Sequence, residues 1–207
     1  MRIERYSVGP LDTNCYQVIC ERTNASVIID PGGITDELLD AVRRHPVSAV
    51  LLTHGHFDHT VGLAKLCEET GAPVHIHPAD RDMLTSPYLN GSYMIGAEIV
   101  LDVETIPLVQ DDEITFGESS LRAAETPGHS PGGVLLASSD GFVVSGDTVF
   151  HLSVGRWDLP GGSYPVLMNT IKYVIKTLPD DTVIYPGHGE STTVGFEKQH
   201  NQFFRNL

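Results

Sequence analysis

The sequence predicts a mixed α/β fold in which helices cover sheets of buried strands. Apolar runs of strand length recur along the chain, and helical patterns separate several of them. No linker or shift in composition divides the 207 residues, of which 41% are hydrophobic. That fraction is ample for a buried core. We therefore expect one domain over residues 1–207.

Strands are predicted where β-branched and aliphatic residues form short runs bounded by turn residues. In chain order these runs are Ser26–Asp30, Ala49–Thr53, Val74–His77, Leu121–Thr126, Val134–Ser138, Phe142–Ser145 and Thr182–Tyr185. Helices are predicted where apolar residues recur at helical spacing. These segments are Thr35–His45, Thr60–Thr70, Pro78–Leu84 and Tyr164–Leu178. Thr35 or Asp36 is expected to cap the first helix.

Residues 53–59 read Thr-His-Gly-His-Phe-Asp-His and directly follow an apolar run. In an extended segment His54 and His56 project to the same side. Asp58 and His59 lie where the chain bends into a helix, so they can face a second centre. Neutral imidazole and carboxylate are preferred ligands of catalytic zinc. The loop therefore predicts a metal site with two pairs of ligands.

Three further turns each place a His or Asp after an apolar run and a glycine. They carry His129 in Pro-Gly-His-Ser, Asp147 in Ser-Gly-Asp-Thr, and His188 in Pro-Gly-His-Gly. Each turn taken singly is an ordinary turn signal. Together with the first loop they indicate a complete ligand set.

On these residues the chain resembles the metallo-β-lactamase superfamily, and within it the short bacterial glyoxalase II-like hydrolases. The H-x-H-x-D-H pattern at residues 54–59 carries the resemblance, together with His129, Asp147 and His188. It extends from the segment Gly9–Tyr16 to the last histidine turn. The resemblance implies a four-layer αββα sandwich with the metals at one edge of the two sheets. It also implies that no C-terminal helical glutathione-binding domain is present.

The same resemblance implies how the ligands are divided. His54, His56 and His129 would hold one metal, and Asp58, His59 and His188 the other. Asp147 would bridge the two, which suits a carboxylate because each of its oxygens can accept a cation. The expected cofactors are two divalent ions, with zinc preferred and iron or manganese as alternatives.

Two divalent cations about 3.5–4 Å apart lower the pKa of water toward about 7. A hydroxide shared by the two ions can then attack a carbonyl carbon without a serine or cysteine nucleophile. Asp58 is the candidate catalytic residue, because it can orient that hydroxide and handle its proton. Asp30 ends a strand that looks buried, where an unpaired charge is costly. We predict that it supports a metal ligand from behind, although Asp30 followed by Pro31 is also an ordinary turn.

The loop after Asp147 departs from glyoxalase II proper. It reads Gly-Arg-Trp-Asp at residues 155–158, which resembles both the short glyoxalase II-like proteins and the persulfide dioxygenases. Arg156 and Asp158 can equally bind substrate or brace the loop. His151 lies four residues after Asp147 and is a candidate for substrate contact, while Tyr185 can line the cleft or fill the core.

Composition excludes several other classes. The net charge of −14 argues against a nucleic-acid surface, which needs clustered Lys and Arg. No apolar run approaches a membrane span, and the amino terminus lacks the pattern of a signal peptide. The three cysteines are odd in number and widely spaced, which argues against a disulfide framework and fits a reducing cytoplasm. The pattern does not predict the oligomeric state.

Three function classes remain open. The first is a dinuclear thioesterase that cleaves an acyl-thiol such as S-lactoylglutathione. The second is an iron-dependent glutathione persulfide dioxygenase, which needs only two His and one carboxylate. The third is a non-enzymatic binding protein, which the complete ligand set disfavours. Lactone or β-lactam hydrolysis is a further option on the same fold.

Overall fold

Two six-stranded sheets form the centre of the structure, a computed structural model that describes residues 1–204 apart from the side chain of Ile175. The strands are β1 (Arg2–Val8), β2 (Thr13–Ile19), β3 (Ser26–Ile29), β4 (Val47–Leu51), β5 (Val74–Ile76), β6 (Thr105–Pro107), β7 (Glu113–Phe116), β8 (Ser119–Glu125), β9 (Val134–Ser138), β10 (Phe142–Gly146), β11 (Val149–Phe150), β12 (Ser153–Val154), β13 (Val183–Pro186) and β14 (Thr192–Thr193). The helices are α1 (Asp36–Arg44), α2 (Phe57–Thr60), α3 (Leu63–Thr70), α4 (Tyr164–Thr177) and α5 (Val194–His200), with 3-10 helices over Pro78–Thr85 and Ser92–Ile95.

The first sheet has the order β1-β2-β3-β4-β5-β6, and the second has the order β14-β13-β10-β9-β8-β7. Strands β3, β4, β5 and β6 run parallel to one another, and β10 runs parallel to β13. Strands β11 and β12 form a separate small ribbon.

Alternating side chains give each sheet two apolar faces. Val27 and Leu51 face the second sheet and join the core between the sheets, which also contains Val144. Ile28 and Val50 face the other way and pack against α1 and α3. On the second sheet a separate cluster joins alternate residues of β9, β10 and β13 to α4. Helix, sheet, sheet and helix therefore form the predicted four-layer sandwich, and the fold class is confirmed.

Local signals explain the first helix. The side chain of Thr35 accepts a hydrogen bond from the backbone N–H of Leu38, so Thr35 is the cap. Acidic residues occupy the first turn and Arg43 and Arg44 the last, as the helix dipole favours. Among the described residues no helix combines the length and the apolar character that crossing a bilayer requires.

The structure corrects one predicted helix and supplies elements that the pattern missed. The segment Thr60–Thr70 is not continuous, because α2 ends at Thr60 and α3 begins at Leu63. The backbone N–H of Gly62 donates to the carbonyl of Pro31, and a Cβ at this position would lie 2.7 Å from that oxygen. This close contact between Gly62 and Pro31 sets the position of the break between α2 and α3. The hairpin β1–β2 and the helix α5 were not predicted.

Candidate metal centre

Parallel strands deliver the predicted ligands to one edge of the sandwich. Asp30 follows β3, the loop of His54 follows β4, Asp147 follows β10, and His188 follows β13. The carboxyl ends of parallel strands are where α/β folds place their ligand sites. An isolated bridge between Thr13 and His188 joins the two sheets at this edge.

The three-histidine group consists of His54, His56 and His129, all of which are buried. His129 Nε2 lies 2.9 Å from His56 Nδ1 and 3.3 Å from His54 Nε2. Ligands of a tetrahedral zinc ion with bonds of about 2.0–2.1 Å are roughly 3.3 Å apart. These three nitrogen atoms therefore fit one ion.

The mixed group consists of Asp58, His59 and His188. Asp58 Oδ2 lies 3.1 Å from His188 Nε2 and 3.6 Å from His59 Nε2. Thr13 also donates to Asp58 Oδ2, over 3.4 Å. The spacing fits a second ion with one oxygen and two nitrogen ligands.

Asp147 lies between the two groups. Its Oδ2 is 3.6 Å from His129 Nε2 and 3.8 Å from His188 Nε2, while its Oδ1 is 3.3 Å from His59 Nε2. The carboxylate therefore reaches both groups, as the predicted bridge requires. The structure brings all seven predicted ligands together.

The donor atoms themselves indicate a cation. Within the described part of the chain, His59 Nε2 and Asp147 Oδ1 are buried and have no hydrogen-bond partner. Buried polar atoms are costly unless they are paired. A bound metal would satisfy both atoms, so these residues fit the metal cofactor that the sequence predicts.

Burial keeps two histidines of the three-histidine group, His54 and His56, neutral. Burial lowers the pKa of His54 well below its usual range and lowers the pKa of His56 to about 3. A neutral imidazole is the form that binds a metal. His54 and His56 are thus ready to bind a cation at neutral pH.

The acidic members of the centre are ionised. Burial acts to raise the pKa of Asp147, but the charge of His59 outweighs it and holds this pKa well below the usual range. Burial likewise opposes ionisation of Asp58, and His59 together with a hydrogen bond from His188 lowers its pKa. Both carboxylates therefore present negative charge to the centre.

Hydrogen bonds from behind fix the ring orientations of four histidines. His129 Nδ1 donates to the carbonyl of Arg156 over 2.7 Å, and His188 Nδ1 donates to the carbonyl of Leu11 over 3.2 Å. Such bonds set the tautomer and leave Nε2 free for a metal. Arg156 thus supports the metal centre through its backbone carbonyl. The predictions for Arg156 concerned its side chain and did not include this role.

Asp30 supplies the remaining two supports. It is buried, its Oδ2 accepts from His59 Nδ1 over 3.0 Å and from Thr53 Oγ1 over 2.6 Å, and its Oδ1 accepts from the backbone N–H of Thr53. Thr53 Oγ1 in turn lies 3.0 Å from His54 Nδ1. One carboxylate therefore braces a ligand of each group, as predicted for Asp30.

Strand β2 holds the turn that carries His188. The side-chain amide of Asn14 donates to the carbonyls of Pro186 and Gly189, and the hydroxyl of Tyr16 donates to Pro186 over 2.6 Å. A Cβ at Gly187 would lie 2.1 Å from Asp147 Oδ1. Only glycine lets this turn approach the bridging carboxylate.

Sequence reasoning missed Asp80, which is fully buried between two ligand loops. Its Oδ2 accepts from the backbone N–H of Gly55 over 3.1 Å, and its Oδ1 accepts from that of Gly132 over 2.6 Å. An acidic residue in the first turn of a helix is common, so the pattern carries no signal for this role.

Two candidate substrate residues lie elsewhere. His151 is exposed and packs against the ring of Phe196, outside the cleft beside the ligands. Tyr185 packs against the rings of Tyr16 and Phe142 at the core between the sheets. Contact between His151 and substrate gains no support from this position and stays a prediction, while Tyr185 takes the core alternative.

Arg156 and Asp158 form a bidentate ion pair on the surface. Arg156 Nε and a terminal nitrogen donate to the two carboxylate oxygens over 2.7 and 2.9 Å. The guanidinium of Arg156 lines the cleft but already has a partner. The ion pair therefore favours the prediction that these residues brace the loop over the prediction that they bind substrate.

The metal cleft is a cavity of about 510 Å³ that opens beside the ligands. Its lining residues are Leu11, His56, Phe57, Asp58, Asn90, Gly91, Met94, Ile95, His129, Asp147, Phe150, Ser153, Val154, Arg156, Leu159 and His188. Five of the predicted ligands thus face a space that is large enough for a small organic substrate.

Comparison with known proteins identifies relatives over nearly the whole chain. A family model described as the metallo-β-lactamase superfamily matches residues 8–188. The probable metallo-hydrolase YqgX of Bacillus subtilis is 35% identical over 207 residues, covering 98% of this chain and 97% of the relative. The hydroxyacylglutathione hydrolase GloC of Haemophilus influenzae is 30% identical over 208 residues, covering 98% of each chain.

Solved structures share the fold closely. The B3 metallo-β-lactamase BLEG-1 superposes with a TM-score of 0.92 at 35% identity, covering 98% of this chain and 99% of that one. The protein TTHA1623, solved in a di-iron-bound form, superposes with a TM-score of 0.86 at 35% identity, covering 97% and 99%.

Proposed function

The chain belongs to the metallo-β-lactamase superfamily and is a metallo-hydrolase, and from this premise we propose that it hydrolyses thioesters of the S-lactoylglutathione type. The observation that carries the proposal is the pair of ligand groups that share Asp147. The substrate is a small acyl-thiol, and the enzyme acts in the cytoplasm as a single domain over residues 1–207.

Two divalent metals would occupy the centre, with His54, His56 and His129 on one and Asp58, His59 and His188 on the other. When bound, such a pair lowers the pKa of water and polarises a carbonyl group. Five imidazoles and two carboxylates suit zinc, and they also suit iron. The di-iron form of TTHA1623 supports iron as the alternative.

The side chains of this protein would orient the reaction. Asp58 is ionised and faces the cleft, so it would hold the proton of the attacking water. Asp30 and the carbonyls of Arg156 and Leu11 would keep the imidazoles in place. The apolar walls of the cleft would exclude bulk water from the carbonyl.

Two relatives support different acyl substrates. GloC is a hydroxyacylglutathione hydrolase that matches this chain over 98% of both lengths, which supports the thioester. BLEG-1 is a B3 metallo-β-lactamase and has the higher identity, which supports a β-lactam as a second candidate. Both reactions need water activated next to a carbonyl, and we favour the thioester because a thiolate leaves without protonation.

A metal analysis with a substrate panel tests the proposal. Purified protein loaded with zinc or with iron is assayed on S-lactoylglutathione, a β-lactam, a lactone and glutathione persulfide, with oxygen uptake recorded. About two metals per chain with thioester cleavage and no oxygen uptake is the expected result. One iron per chain with oxygen consumed on the persulfide would overturn it.

A further inference from the structure

The walls of the metal cleft are mostly apolar outside the ligands. The apolar lining side chains are Leu11, Phe57, Met94, Ile95, Phe150, Val154 and Leu159. They line the same cleft as five of the predicted ligands, so a group attached to the reacting carbonyl would lie against hydrocarbon.

Part of this apolar surface projects into solvent at the mouth of the cleft. Met94 and Ile95 belong to the 3-10 helix Ser92–Ile95 and are 52% and 54% exposed. Gly91 and Gly96 flank them in the left-handed region, with φ of 82° and 70°. Exposed apolar side chains that line a cavity are available to contact a ligand, and methionine adapts to varied shapes.

Apart from the metal ligands, the main polar side chains of the lining are already paired. The side-chain amide of Asn90 donates to the carbonyls of Met83 and Ile99, and its oxygen accepts from the N–H of Ser92. Arg156 is the one lysine or arginine among the described lining residues, and Asp158 holds it. A net charge of −14 adds a field that repels anions. The thiol portion of a glutathione thioester therefore finds no unpaired lysine or arginine among the described lining residues.

We propose that the metal cleft recognises its thioester by apolar contact, so that the preferred substrate carries an uncharged aliphatic acyl chain and glutathione is not required. This inference rests on the proposed thioesterase function and names its substrate class. Each methylene that moves from water onto the cleft wall should raise kcat/KM by about fourfold, until the cleft is filled.

A matched series of thioesters tests this. Acetyl, butanoyl, hexanoyl and octanoyl groups are compared on N-acetylcysteamine, which is neutral, and on glutathione. We expect kcat/KM to rise with chain length and to be as high on the neutral thiol. A flat profile, or a strict requirement for glutathione, overturns the inference while leaving thioesterase activity intact. Cleavage of no thioester at all overturns both.

A pair of variants locates the contact. Met94→Ser should lower kcat/KM for the octanoyl thioester by about tenfold and should reduce the dependence on chain length. Val100→Ser is the control, because Val100 is 55% exposed but does not line the cleft. Val100→Ser should leave the rise of kcat/KM with acyl chain length unchanged. If kcat/KM rises equally with chain length in Met94→Ser and in the wild type, the acyl chain is not recognised by apolar contact at Met94.

A separate observation concerns Asp80, whose carboxylate joins two ligand loops. Gly55 lies between His54 and His56, and Gly132 lies three residues after His129. Because each oxygen of Asp80 accepts one of these two backbone N–H groups, the loops cannot separate without breaking a buried charged hydrogen bond. We infer that Asp80 is a positioning residue that sets the spacing of the three-histidine group.

Cobalt titration of a matched pair tests this role. Asp80→Asn keeps the shape but turns an NH₂ group toward one of the two donors, whereas Asp82→Asn changes an exposed residue of the same 3-10 helix. In Asp80→Asn we expect one of two cobalt ions to bind about 10–100-fold more weakly, with a changed visible spectrum. The other ion and the circular dichroism should match the control. Wild-type binding of both ions overturns the inference.

A measurement on the wild type covers the case in which Asp80→Asn does not fold. The carboxylate, not a metal, would hold the amides of Gly55 and Gly132. Their hydrogen exchange should therefore stay slow after metal removal. Fast exchange of both amides in metal-free protein would count against Asp80.

Discussion

Protein stripped of metal by exhaustive chelation is expected to lose thioester hydrolysis, with the rate falling by about 10³-fold or more. The described lining of the cleft contains no cysteine, and its serine, Ser153, donates its hydroxyl to the carbonyl of Val154, so the reaction depends on activated water. The loss of even one oxyanion-stabilising donor costs about 10²–10³ in rate. Initial rates on S-lactoylglutathione, before and after chelation and gel filtration, measure the effect.

Adding metals back provides the control. Zinc should restore the rate as about two equivalents bind, while magnesium should not, because it prefers oxygen ligands and five of the seven ligands are imidazoles. The fold should persist, since three apolar clusters away from the ligands hold the layers together. Full activity in metal-free protein would refute the proposed chemistry.

The ligand set could be predicted because its signals are local. Each ligand follows an apolar run and a sharp turn, and parallel strands bring such turns to one edge of a sheet. Asp30 could be predicted for a similar reason, since a carboxylate at the end of a buried strand needs a partner. The division into two groups came from a family resemblance, and the distances around Asp147 agree with it.

Other features depend on contacts that the sequence does not display. Strand β1 lies at the edge of its sheet and reads Arg-Ile-Glu-Arg-Tyr-Ser-Val. Its charged residues interrupt the alternation of apolar and polar residues by which a strand is usually predicted. The break at Gly62 follows from contact with Pro31, which lies thirty-one residues earlier. Asp80 resembles an ordinary helix residue until the fold places two amides beside it. These are tertiary effects, so periodicity and motif spacing could not reveal them.

Replacing Asp58 by asparagine is expected to lower kcat by about 10²–10⁴-fold while most of the metal is retained. Asparagine keeps an oxygen that can face the mixed group, but it cannot take up a proton, and general-base catalysis contributes a factor of this size. The hydrogen bond from Thr13 and the approach of His188 both involve Asp58 Oδ2, and both can be made to an amide oxygen. Steady-state kinetics combined with metal analysis measure the two effects separately.

Asp102→Asn is the matched control, because Asp102 is exposed and lies outside the metal cleft. It should keep wild-type kcat and metal content. If Asp58→Asn retains two metals and full turnover, Asp58 is not the base. If it loses one metal together with activity, Asp58 acts chiefly as a ligand. Retained metal with a depressed kcat separates proton transfer from coordination, because Asp147 and the histidines still hold both ions.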